Sequence, residues 1–227
     1  MLGNDQQQKV SSVPSSEERL DREAALREFR RNLILDGAGK VFAEDGFDRA
    51  TMRRIAAAAG CTTGAIYPIF SGKEEIYAGL LMRSLDALQQ AVSSAFAEAE
   101  PGWAKVAGTA HAFLRFYVQR PSELALGLHL FSNGIGQRGL TRSLDADLNE
   151  KLWSSLSLIE LGLIESGLPE SIDPRRETMT LFAALSGTLV SYHTGRLKVF
   201  GQTGEEILNR QLELQRAALT HEPHEAD

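Results

Sequence analysis

The sequence predicts an all-α protein made of two helical domains. Apolar residues recur at helical spacing along most of the chain, and no segment shows the strict alternation typical of a β-strand. Proline and glycine separate the periodic runs. We expect a disordered tail at residues 1–18, a helix-turn-helix domain at 19–73 and a larger helical domain at 74–227. With 227 residues and 43% hydrophobic content, the chain has enough apolar material for a packed core.

The N-terminal segment is rich in Gln and Ser and has few large apolar groups, which is typical of disorder. Arginines then follow at short intervals within residues 19–31, interleaved with acidic residues. This segment either extends the first core helix as a solvated charged face or brings some arginines to a polyanion. The sequence leaves both alternatives open.

Three helices are predicted over residues 28–70. The first ends at Gly46, and its apolar stripe consists of Ile34, Ala38, Val41 and Phe42. The second follows Thr51, a good N-cap residue, and ends at Gly60, because glycine readily adopts the left-handed conformation found at helix C-termini. Its apolar face consists of Met52, Ile55, Ala56 and Ala59.

The third helix follows a tight turn and can be capped by Thr62. Its inward face consists of Ile66, Ile69 and Phe70. Its outward face consists of Gly64, Tyr67 and Pro68. Two helices around a short turn form the arrangement that places the second helix in the DNA major groove. The sequence therefore predicts double-stranded DNA as a partner.

The groups on the outward face suit that partner. Gly64 has no side chain, so the backbone can approach another surface closely. Thr62, Thr63 and Tyr67 provide hydroxyl groups of the kind that bond phosphate oxygens. Lys73 lies in the first turn of the next helix, where the helix dipole disfavours a cation, and this position indicates an external anion such as phosphate. The alternative is a solvated surface lysine.

This part of the chain resembles the N-terminal DNA-binding domain of the TetR family of bacterial transcription regulators. The resemblance covers residues 33–81 in order and spacing, in the run ILDGAGKVFAEDGFDRATMRRIAAAAGCTTGAIYPIFSGKEEIYAGLL. It implies a homodimer with an N-terminal three-helix domain that binds operator DNA. The C-terminal helical domain would bind a small-molecule effector, form the dimer and move the two DNA-binding domains.

The same resemblance implies roles for individual residues. The DNA-facing part of the recognition helix would consist of Thr62, Thr63, Gly64, Ala65, Tyr67 and Pro68. The phosphate backbone would be held by Thr51, Arg53 and Lys73. Family members often carry a histidine where this chain has Pro68, which also lacks the N–H that would bond to the carbonyl of Gly64. We therefore expect a short recognition helix or an irregular last turn.

The charge distribution agrees with a directed DNA contact. The chain has a net charge of −6, yet residues 19–73 hold 10 Lys or Arg against 7 Asp or Glu. Positive charge is thus concentrated in the proposed DNA-binding domain, and the acidic remainder should be repelled by DNA.

A cytoplasmic location is expected. The single cysteine, Cys61, cannot form an internal disulfide, and no secretory signal opens the chain. No run approaches the ~20 apolar residues that span a membrane, so no membrane contact is expected. We expect Cys61 to pack in the turn between helices, with a redox-sensing thiol as the alternative.

The second domain is predicted to consist of helices between about residue 74 and residue 219, including one from about 174 to 197 and a last one from about 205. Small residues recur every four positions on the penultimate helix, at Ala183, Gly187, Ser191 and Gly195. The last helix presents Leu208, Leu212, Gln215 and Leu219. These faces either build a four-helix interface with a second copy or pack inside one chain, and the family resemblance favours the dimer.

A ligand pocket is expected among the middle helices, where aromatic and polar groups share apolar faces. The candidates are Trp103, Phe113, Tyr117, His129, Phe131, Asn133, Trp153, Tyr192 and His193. Each of these is also compatible with an ordinary core or surface position. The few charges nearby favour a hydrophobic or aromatic effector.

Enzyme patterns are missing from the sequence. The five histidines show no metal-ligand spacing, and no glycine-rich phosphate loop follows a strand, so we expect no catalysis, metal or cofactor. The sequence predicts a ligand-responsive DNA-binding transcriptional regulator, a repressor that the effector releases from its operator. The alternatives are a helical adaptor that uses the helix-turn-helix for protein contacts and a helical enzyme with a DNA-binding domain. Salt-dependent operator binding would favour the regulator, whereas turnover of a small molecule would favour the enzyme.

Overall fold

The computed structural model describes residues 16–132 and 142–220, with side chains for 16–128 and 142–219. Within these ranges the chain is helical and contains no strand, so the all-α prediction is confirmed. The helices are α1 (Ser16–Arg49), α2 (Met52–Ala58), α3 (Thr63–Ile66), α4 (Lys73–Glu98), α5 (Trp103–Val118), α6 (Pro121–Ser132), α7 (Arg142–Glu165), α8 (Pro174–His193), α9 (Arg196–Val199) and α10 (Gly204–Thr220). The chain divides into two compact units between Lys73 and Glu74. None of the described helices is long and apolar enough to cross a membrane.

The long helix α1 opens the first unit. It begins at Ser16, so residues 16–18 are helical and do not belong to a disordered tail, contrary to the prediction. Residues 1–15, the rest of that predicted tail, lie outside the described residues. Gly46 has a φ of 75° and interrupts the helical backbone at the position that the sequence predicts.

The core of the first unit lies where α1, α2 and α3 meet. The buried apolar residues are Ile34, Leu35, Ala38, Val41, Phe42, Ile55, Ala56, Ile66 and Phe70. They include the predicted stripe of the first helix, whose spacing therefore identified the buried face correctly. The guanidinium of Arg31 lies 4.9 Å from the centre of the Phe70 ring. Residues 16–30 are all exposed.

The core of the second unit is formed by α5, α7, α8 and α10, which contact one another. Its most deeply buried side chains include Leu88, Val106, Leu114, Ile159, Leu163, Leu181 and Leu185. The α4 helix joins this packing partly through the buried Tyr77 hydroxyl, which donates to the Leu126 carbonyl of α6. Burial raises the pKa of the Tyr77 phenol, so this donor keeps its proton.

The helix predicted from about residue 174 to 197 is interrupted in the structure. It ends as α8 at His193, and Gly195 has a φ of 73°, which is left-handed backbone. The predicted stripe of Ala183, Gly187, Ser191 and Gly195 is therefore not one continuous helix face, because Gly195 turns the chain into the short α9.

Candidate nucleic-acid interface and ligand cavity

Local capping fixes the start and the end of α2. The Thr51 side chain accepts a hydrogen bond from the Arg54 backbone N–H at 3.3 Å, as an N-cap residue does. Gly60 follows the C-cap residue Ala59 with a φ of 67°, which is a conformation that side chains disfavour. Both predicted helix boundaries are confirmed.

The next helix, α3, is short and presents a distinct outer face. Its inward residues Ile66 and Phe70 are 0% exposed, whereas Tyr67 is 56% exposed. Thr62, Gly64, Ala65 and Pro68 are also exposed, and Thr63 is half-buried. The helix ends at Ile66, and the chain continues as a turn in which the Ile69 and Phe70 N–H groups donate to the Ile66 carbonyl. The helix is short, as expected, and Pro68 explains this because it has no N–H to continue the ladder.

The Gly64 backbone is accessible from outside. A Cβ atom built on Gly64 would have Thr62 Oγ1, at 4.0 Å, as its nearest neighbour, so open space surrounds this position. Thr62 precedes α3 as the N-cap residue but forms no side-chain capping bond. Its hydroxyl is therefore not committed to the helix that it opens.

The Lys73 side chain is directed to backbone carbonyls of its own unit. Its Nζ donates to the Phe47 carbonyl at 3.1 Å and to the Asp48 carbonyl at 3.4 Å, and it lies 4.6 Å from the centre of the Phe47 ring. These internal oxygens stabilise the charge, so the position of Lys73 in the first helical turn is explained without an external anion. An ammonium group has three N–H donors, so a phosphate contact by Lys73 remains a prediction.

Two neighbouring arginines of α2 have different surroundings. Arg54 forms ion pairs with Glu44, at 3.2 Å, and with Asp45. Arg53 is exposed, and no ion pair involves it within the described part of the chain. Of these two arginines, Arg53 is therefore the one that forms no ion pair among the described residues, and the sequence predicts its contact with phosphate.

The second unit contains a cavity of about 100 Å³. The lining residues are Leu81, Ser84, Leu85, Phe113, Tyr117, Leu124, Gly127, Leu128, Asp145, Leu148, Asn149, Leu152, Phe182, Ser186 and Leu189. The lining is mainly apolar, as expected, and Phe113 and Tyr117 are the two predicted candidates that it includes. The leucines were missed because their spacing is the same as that of ordinary core residues.

The other described candidates do not line this cavity. Trp103 lines a separate groove with Arg216 and Leu219. The ring of Trp153 is covered by the Arg175 guanidinium at 4.1 Å. Two aromatic residues lie together near the end of α8. They are Tyr192, which is 42% exposed, and His193, whose Nε2 lies 3.0 Å from the Tyr117 carbonyl oxygen. The side chains of His129 and Phe131 and all of Asn133 lie outside the described residues.

A small polar cluster occupies part of the cavity wall. The Ser84 hydroxyl donates to Glu123 at 2.5 Å, and Tyr117 forms a hydrogen bond with Ser84. Burial raises the pKa of the Tyr117 phenol to about 12, opposed by the Ser84 bond and reinforced by the Glu123 charge. The phenol is therefore neutral at physiological pH.

The family model for "Bacterial regulatory proteins, tetR family" matches residues 34–80, which include α2, α3 and the first turns of α4. Relatives among curated proteins include the HTH-type transcriptional repressor Rv1474c of Mycobacterium tuberculosis. It is 47% identical over 51 residues, which are 22% of this chain. Residues 34–80 form a TetR-family domain.

Solved structures resemble the fold of this chain beyond residues 34–80. The fatty acid degradation regulator FadR from Bacillus halodurans matches with a TM-score of 0.66 and 22% identity, over 85% of this chain and 97% of that one. FadR from Bacillus subtilis, in complex with stearoyl-CoA, matches with a TM-score of 0.65 and 22% identity, over 81% and 96%. At this identity the likeness concerns the fold. The chain spans about a quarter of Rv1474c, 27% of its length.

The faces expected to form the TetR-family dimer require a correction. Leu208, Leu212, Gln215 and Leu219 are buried inside their own chain, at 1–7% exposure. The Gln215 amide also donates to the Glu177 backbone and side chain of α8. These side chains cannot meet a second copy, because they are already buried within their own chain.

The opposite sides of the same two helices are exposed. Gly187 has open space where a Cβ would lie, and Ala183 beside it is exposed. Met179 and Val190 of α8 and Leu214 of α10 are 40–50% exposed. An apolar surface therefore exists on α8 and α10, although it differs from the predicted α10 residues.

Proposed function

We propose that this TetR-family protein is a DNA-binding transcriptional repressor that binds its operator as a homodimer and is released by a small hydrophobic effector. The observation that carries the proposal is the outer face of α3. Tyr67 is exposed there while Ile66 and Phe70 anchor the helix in the core. A large aromatic residue held outward on a fixed support is suited to contact another surface.

In this proposal the α3 segment enters the major groove. The groove-facing residues are Thr62, Thr63, Gly64, Ala65, Tyr67 and Pro68. The open backbone at Gly64 supports close approach, and the uncommitted Thr62 hydroxyl supports a polar contact. Thr51, Arg53 and Lys73 would hold the phosphate backbone. The Thr51 oxygen caps α2, but its O–H can still donate to a phosphate.

The proposed dimer uses the exposed surfaces of α8 and α10. The apolar residues Met179, Val190 and Leu214 supply area that water disfavours, and Gly187 permits close helix approach. A dimer would present two copies of α3 to successive major grooves. A four-residue helix supplies few contacts, so two copies together would give the required affinity.

The proposed effector site is the cavity beside Phe113 and Tyr117. Its apolar lining supports a hydrophobic effector. Release would follow from a population shift, in which the effector binds better to the dimer conformation that cannot reach both half-sites. Such an effector needs a different affinity for the two conformations, since equal affinity shifts nothing.

The test is to select genomic fragments on the purified chain and to measure the affinity of the enriched duplex over a range of salt concentrations. We expect one enriched site with a two-fold related sequence and an affinity that falls linearly with the logarithm of salt concentration. Tyr67→Ala should weaken binding of the duplex. Tyr67→Phe removes only the hydroxyl, so it should show how much of the affinity depends on the hydroxyl and how much on the ring. The absence of any enriched duplex would overturn the proposal, and capture of a protein without DNA binding would favour the adaptor.

A further inference from the structure

The cavity of the second unit has an uneven charge. Its lining includes the carboxylate of Asp145, and the Glu123 carboxylate bonds to the lining residue Ser84. Among the described residues, the lining contains no Lys, Arg or His. A carboxylate or phosphate placed in this cavity would therefore meet negative charge and no cation from the described lining residues.

Two basic residues on the surrounding helices, Arg120 and Lys151, are engaged elsewhere. Arg120 lies 3.6 Å from Glu123 and covers the Phe116 ring at 4.2 Å, so it compensates that carboxylate. Lys151 of α7 pairs with Asp86 of α4 at 2.6 Å. These contacts leave the cations of both residues outside the cavity lining.

The Asp145 carboxylate has a different environment. Its Oδ2 accepts a hydrogen bond from the Asn149 amide at 3.3 Å, one turn along α7. Within the described part of the chain, no ion pair involves Asp145. Asp145 lies in the first turn of α7, where the helix dipole favours a carboxylate. It brings to the wall of an apolar cavity a negative charge that has no ion-pair partner among the described residues.

We infer that the effector is a small apolar amine, bound as its ammonium ion beside Asp145 with its hydrocarbon part against Phe113 and Phe182. This inference rests on the proposed effector site and names its ligand class. The ammonium would donate to the Asp145 carboxylate, which is a charge-assisted hydrogen bond. The two aromatic rings, whose centroids lie 6.0 Å apart in an edge-on arrangement, would contact the apolar part.

The cavity volume suggests the size of probe. The volume of about 100 Å³ is smaller than that of an engineered cavity of about 150 Å³ in another protein that binds benzene, so the probes should carry no more than a single ring. Benzylamine, benzyl alcohol and benzoate share that ring and differ in charge. Comparing their affinities separates the effect of the charge on binding from the contribution of the hydrophobic ring.

The test measures binding of the three probes to the full chain without DNA, by titration calorimetry near neutral pH. We expect benzylamine to bind about three- to tenfold more tightly than benzyl alcohol, and benzoate to bind most weakly. Asp145→Asn keeps the size of the side chain and removes its charge. It should reduce the benzylamine affinity to that of benzyl alcohol and leave benzyl alcohol unchanged. Asp147→Asn, at an exposed position of the same helix, is the matched control and should change neither affinity.

Three results would overturn the inference: tightest binding by benzoate, equal benzylamine affinity in Asp145→Asn and the unmodified chain, or no binding of any probe. Because these titrations contain no DNA, their outcome is independent of operator selection. Amine binding without an enriched duplex would contradict the proposed repressor function and support the proposed ligand class. An enriched duplex without amine binding would support the repressor function and contradict the ligand class.

Discussion

Gly37 of α1 and Ala59, the C-cap residue of α2, are in direct contact. A Cβ atom built on Gly37 would lie 2.6 Å from the Ala59 backbone nitrogen and 2.9 Å from its Cα. No side chain fits between these two backbones, so the turn that follows α2 takes its position from a glycine. The support of α3 thus depends on a residue that does not belong to the outer face proposed to bind DNA.

Gly37→Ala should destabilise the first unit by about 1–3 kcal/mol, because an added methyl group must displace the Ala59 backbone. Chemical denaturation followed by circular dichroism measures the change. Gly64→Ala is the matched control, since open space surrounds it, and its free energy of unfolding should stay within about 0.5 kcal/mol of the unmodified chain. Equal stability of both variants would show that the contact with Ala59 relaxes without penalty.

Lys73→Met should lower the free energy of unfolding by about 1–2 kcal/mol, because it removes the donor to the Phe47 and Asp48 carbonyls. It should also weaken operator binding, since those carbonyls precede α2. Denaturation and duplex titration measure the two effects. Lys40→Met, at an exposed position of α1, should change stability little. If Lys73→Met weakened DNA binding without lowering the free energy of unfolding, the role of Lys73 would be limited to a phosphate contact.

Arg53→Gln should leave stability unchanged and reduce the salt slope of operator binding by about one, the value expected for one lost phosphate contact. Its neighbour provides the comparison. Arg54→Gln removes the ion pairs with Glu44 and Asp45, so it should act on stability, by up to about 1 kcal/mol at this partly exposed site. An unchanged slope in Arg53→Gln would remove this residue from the interface.

Leu214→Asp should convert the proposed dimer to a monomer, because it places a charge on the exposed apolar surface of α10. Sedimentation velocity measures the oligomeric state. Leu212→Ala addresses the buried side of the same helix and should destabilise the fold by about 2–5 kcal/mol through a core cavity. A dimer that persists in Leu214→Asp would place the subunit contact elsewhere.

Alkaline pH should destabilise the second unit through Tyr117. Its pKa is raised to about 12 in the folded chain, above the value of about 10 in the unfolded chain. The stabilisation is therefore fully present below pH ~10 and is lost as the pH rises towards ~12. Tyr117→Phe should show a shallower loss of stability over this window in denaturation at several pH values. Tyr192→Phe, at an exposed tyrosine, should follow the unmodified chain.

Features fixed by local chemistry could be predicted from the sequence. The ends of α2 at Thr51 and Gly60 and the break at Gly46 depend on the conformation of one residue and its nearest neighbours. The short α3 follows from the missing N–H of Pro68 in the same way. The buried stripe of α1 follows from helical periodicity alone.

Features that depend on distant residues could not be predicted. The partners of Lys73 are the carbonyls of Phe47 and Asp48, which no spacing rule connects to a lysine 25 or more positions away. The burial of Leu212 inside its own chain depends on which side of α10 faces α8, and periodicity identifies an apolar side without naming its partner. Asp145 was missed for a related reason, since a single acidic residue on a helix is ordinary until the cavity beside it is known.

The leading part of α1 has a practical consequence for handling the protein. Residues 16–30 form helical turns that are exposed in the described part of the chain, and a lone helix of this length is only marginally stable in water. Its amide protons should therefore exchange rapidly, and trypsin should cleave first at Arg19, Arg22, Arg27 and Arg30. Digestion would trim the molecule back to the neighbourhood of Arg31, where the guanidinium rests on Phe70, and that shortened form is the natural starting material for crystallisation.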